Sequence, residues 1–333
     1  MNKFVKIFVS VVCSFVLYFS VAQAASASYA VIDADTGRLL MGSNVHDRMP
    51  IASLTKIWTA LIAIENNELD EEVVISRQAA LAEGSSIYLE PGERVTVETL
   101  LYGLMLRSGN DAAYALAEHT GNSIEGFADL MNEKAYLYGL NDTYFTNPSG
   151  LHNDKHLSSA YDTAQMLRIA LQNDTFKKIS STINYKSPTK NGVTWQNKHR
   201  LLRQQVGAVS GKTGYTKVAG RTLATYFEQD QKKVIVVTLS EANDWQVHKG
   251  LANRVFNEYD HVTIADKGEY KAAKNKKVIL DEPITLLLKK DEVKELENVL
   301  HLSRKQNDFG IWHVMLNDES IYSTRVNIKK EKE

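Results

Sequence analysis

The sequence predicts an α+β fold: an antiparallel β-sheet flanked by helices, followed by a small C-terminal β-rich domain. Three observations predict it. Alternating, strand-like runs stand at residues 29–33 and again at 221–239, while helical periodicity fills the chain between them. Strands at both ends and helices in the middle set one sheet against a helical layer. Beyond about Val262 lysines become dense and short β-like runs replace helices, so residues 25–261 read as the main domain and residues 262–333 as an accessory domain. A chain of 333 residues is long enough for that division.

The first 24 residues stand apart. Lys3 and Lys6 give a basic start, residues 7–21 are almost wholly apolar, and Ala22-Gln23-Ala24 closes the run with a small-x-small pattern. This is the form of a secretory signal peptide over residues 1–24. The apolar run is shorter than the ~20 residues of a membrane span. Val12 precedes Cys13 where a lipoprotein signal has a small residue. The expectation is an exported, extracytoplasmic protein. Cys13 is the only cysteine, so cleavage leaves a chain without disulfides, thiol nucleophile or cysteine-held zinc. A formal charge of −1 gives no field for nucleic acid, and 44% apolar with 24% charged residues is a globular balance.

The elements follow in order. Ala34-Asp35-Thr36-Gly37 joins two strand runs into a hairpin. Ile57, Leu61 and Ile64 recur at helical spacing, with Trp58, Ala60 and Ile62 on the other faces; a helix apolar all round is a buried one. Helices are expected over 97–106, 112–118, 124–138 and 160–171, with a loop at Asn147-Pro148-Ser149-Gly150. Strands at 221–227 and 233–239 flank Glu228-Gln229-Asp230-Gln231, and a helix over 251–256 packs back on them. Strand-like runs at 278–280, 284–288, 312–316 and 320–328 make the accessory domain. The lysine run 271–277 is read as a solvated face, with an anionic wall polymer or lipid as its alternative partner. The end, KKEKE, carries no apolar stripe that would lie on a membrane.

Ser53 and Lys56 pose a chemical question. They stand three residues apart at the mouth of the buried helix, so they share a side of it. A serine nucleophile needs a base. A lysine at its ordinary pKa of ~10.4 is almost wholly protonated at neutral pH. Burial in an apolar helix and a second cation nearby both favour the neutral amine that can act as that base. The pattern S-x-x-K is weak alone: Ser187-Pro188-Thr189-Lys190 repeats it, but in a polar segment with Pro188 inside, where nothing would dry out Lys190.

The pattern sharpens with Ser108-Gly109-Asn110, between two helices, and Lys212-Thr213-Gly214, before the late strands. This three-part set marks penicillin-binding proteins and class A β-lactamases. With these motifs and the blocks IASLTKIWTA, EGSSIYLEPGE, LMLRSGNDAAYALAEH, FTNPSGL, SSAYDTA and SGKTGYTKVAG, the chain resembles the low-molecular-mass penicillin-binding proteins that are serine-type D-alanyl-D-alanine carboxypeptidases, of the Gram-positive, spore-forming type. The resemblance runs from about Ser28 to Tyr259, and more loosely through the accessory segment.

The resemblance implies a penicillin-binding, β-lactamase-like transpeptidase fold and a role for each motif residue. Ser53 would be the acylated nucleophile, Lys56 its base and Ser108 the relay to the leaving D-alanine. Asn110 would hold the substrate amide. Lys212 and Thr213 would hold the terminal carboxylate. Gly214 would let the substrate lie along its strand, and the N–H groups of Ser53 and Tyr215 would form the oxyanion hole. The implied partners are a peptidoglycan stem peptide ending in D-Ala-D-Ala and β-lactams as covalent inhibitors, with peripheral membrane or wall association. No cofactor, metal or nucleic acid is implied.

Three departures stand out. Asn197 is followed by Lys198 and His199 where the family often repeats asparagine. No arginine follows the last sheet strand in SEANDWQVHK, so the carboxylate grip would rest on Lys212 and Thr213. The C-terminal amphipathic anchor common in the family is not seen. A β-lactamase is the alternative reading, opposed by glycine at the centre of Ser108-Gly109-Asn110 and by the want of a deacylating glutamate block. A catalytically silent wall-binding protein is the other, opposed by intact Ser53, Lys56 and Lys212. His152 and His156 are four apart, but follow Pro148 and Gly150 in a loop rather than a metal-binding helix.

Overall fold

A computed structural model describes residues 27–273, 276–302 and 308–330. The expected signal segment at 1–24 lies outside the described residues, as do Lys274 and Asn275 of the lysine run.

Strands β1 (Ser28–Asp33) and β2 (Leu39–Ser43) form the expected hairpin. A 3₁₀ turn (Ala52–Leu54) leads into α1 (Thr55–Asn66), whose residues from Thr55 to Ala63 are all buried. Then come β3 (Glu72–Val74), α2 (Arg77–Ala80), β4 (Arg94–Thr96) and α3 (Val97–Tyr102). The helix expected over 97–106 changes hand-over to a π-helical turn (Gly103–Arg107), which stops at Ser108 in a left-handed conformation, φ 64°. Helices α4 (Asn110–Gly121), α5 (Ile124–Leu137), α6 (Ala160–Ala170) and α7 (Asp174–Ser181) follow. Ser123, Ser159 and Asn173 cap the last three by accepting a backbone N–H.

A small hairpin, β5 (Asn184–Lys186) with β6 (Thr194–Gln196), and a short α8 (Arg200–Arg203) precede β7 (Ala208–Thr216), β8 (Gly220–Gln229) and β9 (Lys232–Leu239). The β8–β9 turn is tighter than expected: Asp230 and Gln231 both take positive φ, the geometry of a two-residue hairpin turn. Helix α9 (Asp244–Glu258) starts seven residues before the predicted segment.

The main sheet is antiparallel, in the order β2-β1-β9-β8-β7. Alternate residues face opposite layers, as strand geometry requires. Ala30, Ile32, Ile235 and Val237 join the core made with α1 and α3 to α7. Val31, Val234 and Val236 face the other way, against Ala252 and Val255 of α9 and Tyr259 just after it. The sheet is thus sandwiched between helices.

The accessory domain begins at β10 (Asp260–Ala265), and continues with β11 (Gly268–Ala273), β12 (Lys276–Leu280), β13 (Ile284–Leu288), β14 (Leu296–Leu302), β15 (Phe309–Leu316) and β16 (Glu319–Lys330). It has its own core around Val278, Leu286 and Val314. Strand β13 is the seam. Leu286 and Leu288 point into that core while Leu287 joins the cluster under α9. Arg38 locks the seam, donating to the Leu287 carbonyl and pairing with Glu292 at 2.8 Å.

Candidate active site

The backbone around Ser53 is held in an unusual shape. Ala52 has φ 47°, a conformation that side-chain-bearing residues rarely adopt. It presents Ser53 at the start of the buried helix. Gly150 lies against it: a Cβ there would stand 1.9 Å from the Ala52 carbonyl oxygen. His156 supports the same turn. Its Nε2 lies 2.8 Å from Thr55 Oγ1, which donates to the Ala52 carbonyl, and its Nδ1 accepts from Thr146 N–H. His156 is therefore a packing histidine of the FTNPSGL loop, neutral because burial lowers its pKa to about 4.

Lys56 is fully buried, and its Nζ lies 2.9 Å from Ser53 Oγ. The same nitrogen donates to Asn110 Oδ1 at 2.7 Å and to the Ser149 carbonyl at 2.6 Å. A neutral amine has two N–H groups and one lone pair. Asn110 and Ser149 take the two N–H groups, and the lone pair is left for the Ser53 hydroxyl. Burial first and then the charge of Lys198 lower the Lys56 pKa, to about 7, against the opposing charge of Asp111. The cation that depresses Lys56 is thus Lys198, where the resemblance implied Lys212.

Lys212 is also buried, and its Nζ donates to Ser108 Oγ at 3.0 Å and to the Thr213 carbonyl at 2.8 Å. Burial holds its pKa well below the ordinary value, with Lys56 and Lys198 adding repulsion. Two buried amines that repel each other hold fewer protons than two free lysines. An arriving carboxylate reverses this at Lys212, since an opposite charge favours the ammonium form.

All the predicted residues line or adjoin one cleft of about 330 Å³. Strand β7 is the outer strand of the sheet, so its free edge faces the cleft and can pair with an extended peptide. Gly214 permits the close approach there. A Cβ would meet Thr222 Oγ1 at 2.3 Å and the Ser53 nitrogen at 3.0 Å. Asn110 has a second part besides the one implied. Both ends of its amide are engaged, one with Lys56 and the other with the Glu83 carbonyl, so it orients the lysine.

Three participants escaped the sequence reading. Asp111 is fully buried at the start of α4 and accepts from the backbone N–H groups of Ile87 and Leu89 and from the Ser86 hydroxyl. It fastens the EGSSIYLEPGE loop over the cleft. Lys198, after β6, reaches into the cleft and donates to Ser85 Oγ at 3.1 Å. Arg221, on β8, lies beside Thr213 and Tyr215 in the same cleft. Asp244 holds Arg221 at two points, and the Trp245 ring lies 5.6 Å from its guanidinium. The missing arginine after the last strand therefore has a counterpart one strand over. An Arg and an Asp more than 20 positions apart give no local pattern that would have revealed it.

Comparison with known proteins bears on this geometry. The profile of peptidase S11, D-alanyl-D-alanine carboxypeptidase, matches residues 17–243. The chain belongs to this family. This carboxypeptidase is 32% identical over 332 residues to the D-alanyl-D-alanine carboxypeptidase DacF of Bacillus subtilis, covering 91% of this chain and 85% of that one. The crystal structure of DacD from Francisella tularensis superposes with a TM-score of 0.72 at 25% identity, covering 92% of both chains. Penicillin binding protein 5 of Haemophilus influenzae has the same fold, with a TM-score of 0.77 over 91% of this chain and 96% of that one, at 23% identity.

Proposed function

We propose that the carboxypeptidase cleaves peptides ending in D-Ala-D-Ala through an ester on Ser53, outside the cytoplasm, on peptidoglycan stem peptides. One observation carries the mechanism: the buried Lys56 Nζ sits 2.9 Å from Ser53 Oγ with its other contacts already made. Ser53 Oγ attacks the carbonyl carbon of the penultimate residue as Lys56 takes its proton. The negative oxygen is met by the N–H groups of Ser53 and Tyr215, a donor pair of the kind worth roughly 3 kcal/mol per donor in the transition state. The C–N bond breaks, and the proton passes by way of Ser108 to the departing D-alanine amine. Water then attacks the ester, giving up a proton to Lys56 and releasing the shortened peptide.

Lys212, Thr213 and Arg221 hold the terminal carboxylate in this scheme, and Asn110 keeps Lys56 aimed. Penicillin enters the same cleft, and its ring-opened acyl group stays on Ser53. The test is the intact mass of the protein after benzylpenicillin, beside Ser53→Ala, together with D-alanine release from a pentapeptide. The expected result is a one-to-one adduct and released D-alanine, both absent in the variant. Hydrolysed penicillin with unmodified protein would instead make the chain a β-lactamase, and intact penicillin with no released D-alanine would refute the mechanism.

A further inference from the structure

A cavity of about 820 Å³ lies away from the catalytic cleft, between the two domains. One wall is the outer face of α6 with the chain after α5. The other is the start of β16 in the accessory domain. Sheet register places it at the far end of the molecule's main sheet. Ser28 pairs with Leu239, and Leu239 with Thr222, which is opposite Gly214 at the catalytic end. Residues 36–39, which line the cavity, follow the other end of β1. A strand of that length separates the two by roughly 20 Å.

The groups presented there define a ligand. Arg38 is already bound to Leu287 and Glu292, and Asp162 accepts from Asp142 N–H and the Thr143 hydroxyl. Those charges are used internally. Tyr138, Tyr161 and Tyr322 bring rings from both walls, Tyr138 being 48% exposed. Gln165 spends its amide N–H on the Gly37 carbonyl and keeps its own carbonyl oxygen open; Gln172 is exposed just past the end of α6. The Nε atoms of Arg38 and Arg168 are both buried without an acceptor. A buried donor in that state gains most from a ligand oxygen.

Rings beside planar amides and two unsatisfied donors match a neutral ligand with apolar C–H faces and rim hydroxyl or acetamido groups. Tyrosine offers an apolar face and a polar tip for such a surface. A simple anion would meet Asp162 and Glu319, and a wholly apolar ligand would leave Arg168 and the glutamines unsatisfied. We propose that this interdomain cavity is a binding site for an N-acetylated hexosamine oligosaccharide, separate from the peptide cleft and filled by the sugar strand rather than the peptide.

The test is titration of the full-length protein with the tetramer of N-acetylglucosamine, followed by calorimetry or NMR, with inorganic phosphate and a stem-like peptide as comparison ligands. The expected result is saturable tetramer binding that Tyr322→Ala and Gln172→Ala each weaken by about tenfold or more. D-Alanine release from a short free peptide stays unchanged in both variants, which shows that they are folded and that the catalytic cleft is untouched. Failure of the tetramer to bind, or binding that neither variant weakens, overturns the proposal. So does a preference of the cavity for phosphate or for the peptide. Ser53→Ala binds the tetramer as wild type does, so loss of the catalytic mechanism and loss of this site read separately.

Discussion

Arg221 and Asp244 hold each other through two contacts, Nε to Oδ2 at 3.1 Å and Nη2 to Oδ1 at 2.8 Å, at the rim of the catalytic cleft. Asp244 is 2% exposed while Arg221 remains 42% exposed, so the buried acid aims the open cation. A fork-shaped guanidinium so held is a receptor for a carboxylate, and lysine cannot reproduce it. Arg221→Leu is expected to lower kcat/KM for a D-Ala-D-Ala peptide by about ten- to hundredfold. Arg221→Lys should recover little of the loss. Steady-state kinetics on a peptide and on its C-terminal amide check this: the variant's deficit should vanish for the amide, and an equal deficit on both would show that Arg221 does not meet the carboxylate.

Lys56 acts as a base only when neutral. Its pKa of about 7 therefore predicts that acylation by penicillin rises with pH through about 7 and levels off above it. Lys198 is one of the causes of the lowered value. Removing its charge in Lys198→Met should raise the Lys56 pKa and move the acid limb to higher pH. The acylation rate measured against pH in both proteins decides the matter; a limb that stays in place means Lys198 is too well screened to act on Lys56.

Three buried histidines predict sensitivity to acid. Burial holds His156 at about 4 and His199 at about 3, and keeps His248 well below its ordinary value. All three are depressed, so the unfolded chain takes up protons first as pH falls below 6.5. Stability is then full above that value and declines as pH falls toward the folded-state values, by of the order of 1 kcal/mol per histidine per pH unit. Urea unfolding between pH 7 and pH 5 should show this slope. Imidazole NMR should show these rings uncharged in the folded protein at pH 6; charged rings there would sink the explanation.

Gly150 has φ 81°, and a methyl group on it would strike the Ala52 carbonyl. Gly150→Ala should destabilise the protein by about 2 kcal/mol or more. The same change should displace Ser53 and slow acylation. Thermal unfolding and the penicillin acylation rate, measured together, test both effects. A variant of unchanged stability would mean that the Ala52 turn relaxes without cost.

Contacts close in sequence were legible from the sequence. The pair Ser53 and Lys56 meets because three residues of helix bring side chains to one face, and a helix apolar on all sides announced its burial. The hairpins at 34–37 and 228–231 were likewise local, since turn residues and alternating strands carry their own signal. Strands β3, β4, β5 and β6 span three residues each, too short to show any period, and were missed. Three motifs implied that Ser53, Ser108 and Lys212 share a site, but spacing alone could not show how.

Tertiary structure decided the rest. It set Lys198 within reach of Lys56, made Asn110 a brace for the lysine, and placed Arg221 of β8 in the cleft. It also split β13 between two cores and opened the interdomain cavity. Each is a meeting of residues tens to hundreds of positions apart. Such meetings follow from how the sheet buries its two faces, and no stretch of sequence short enough to read as a pattern contains both partners.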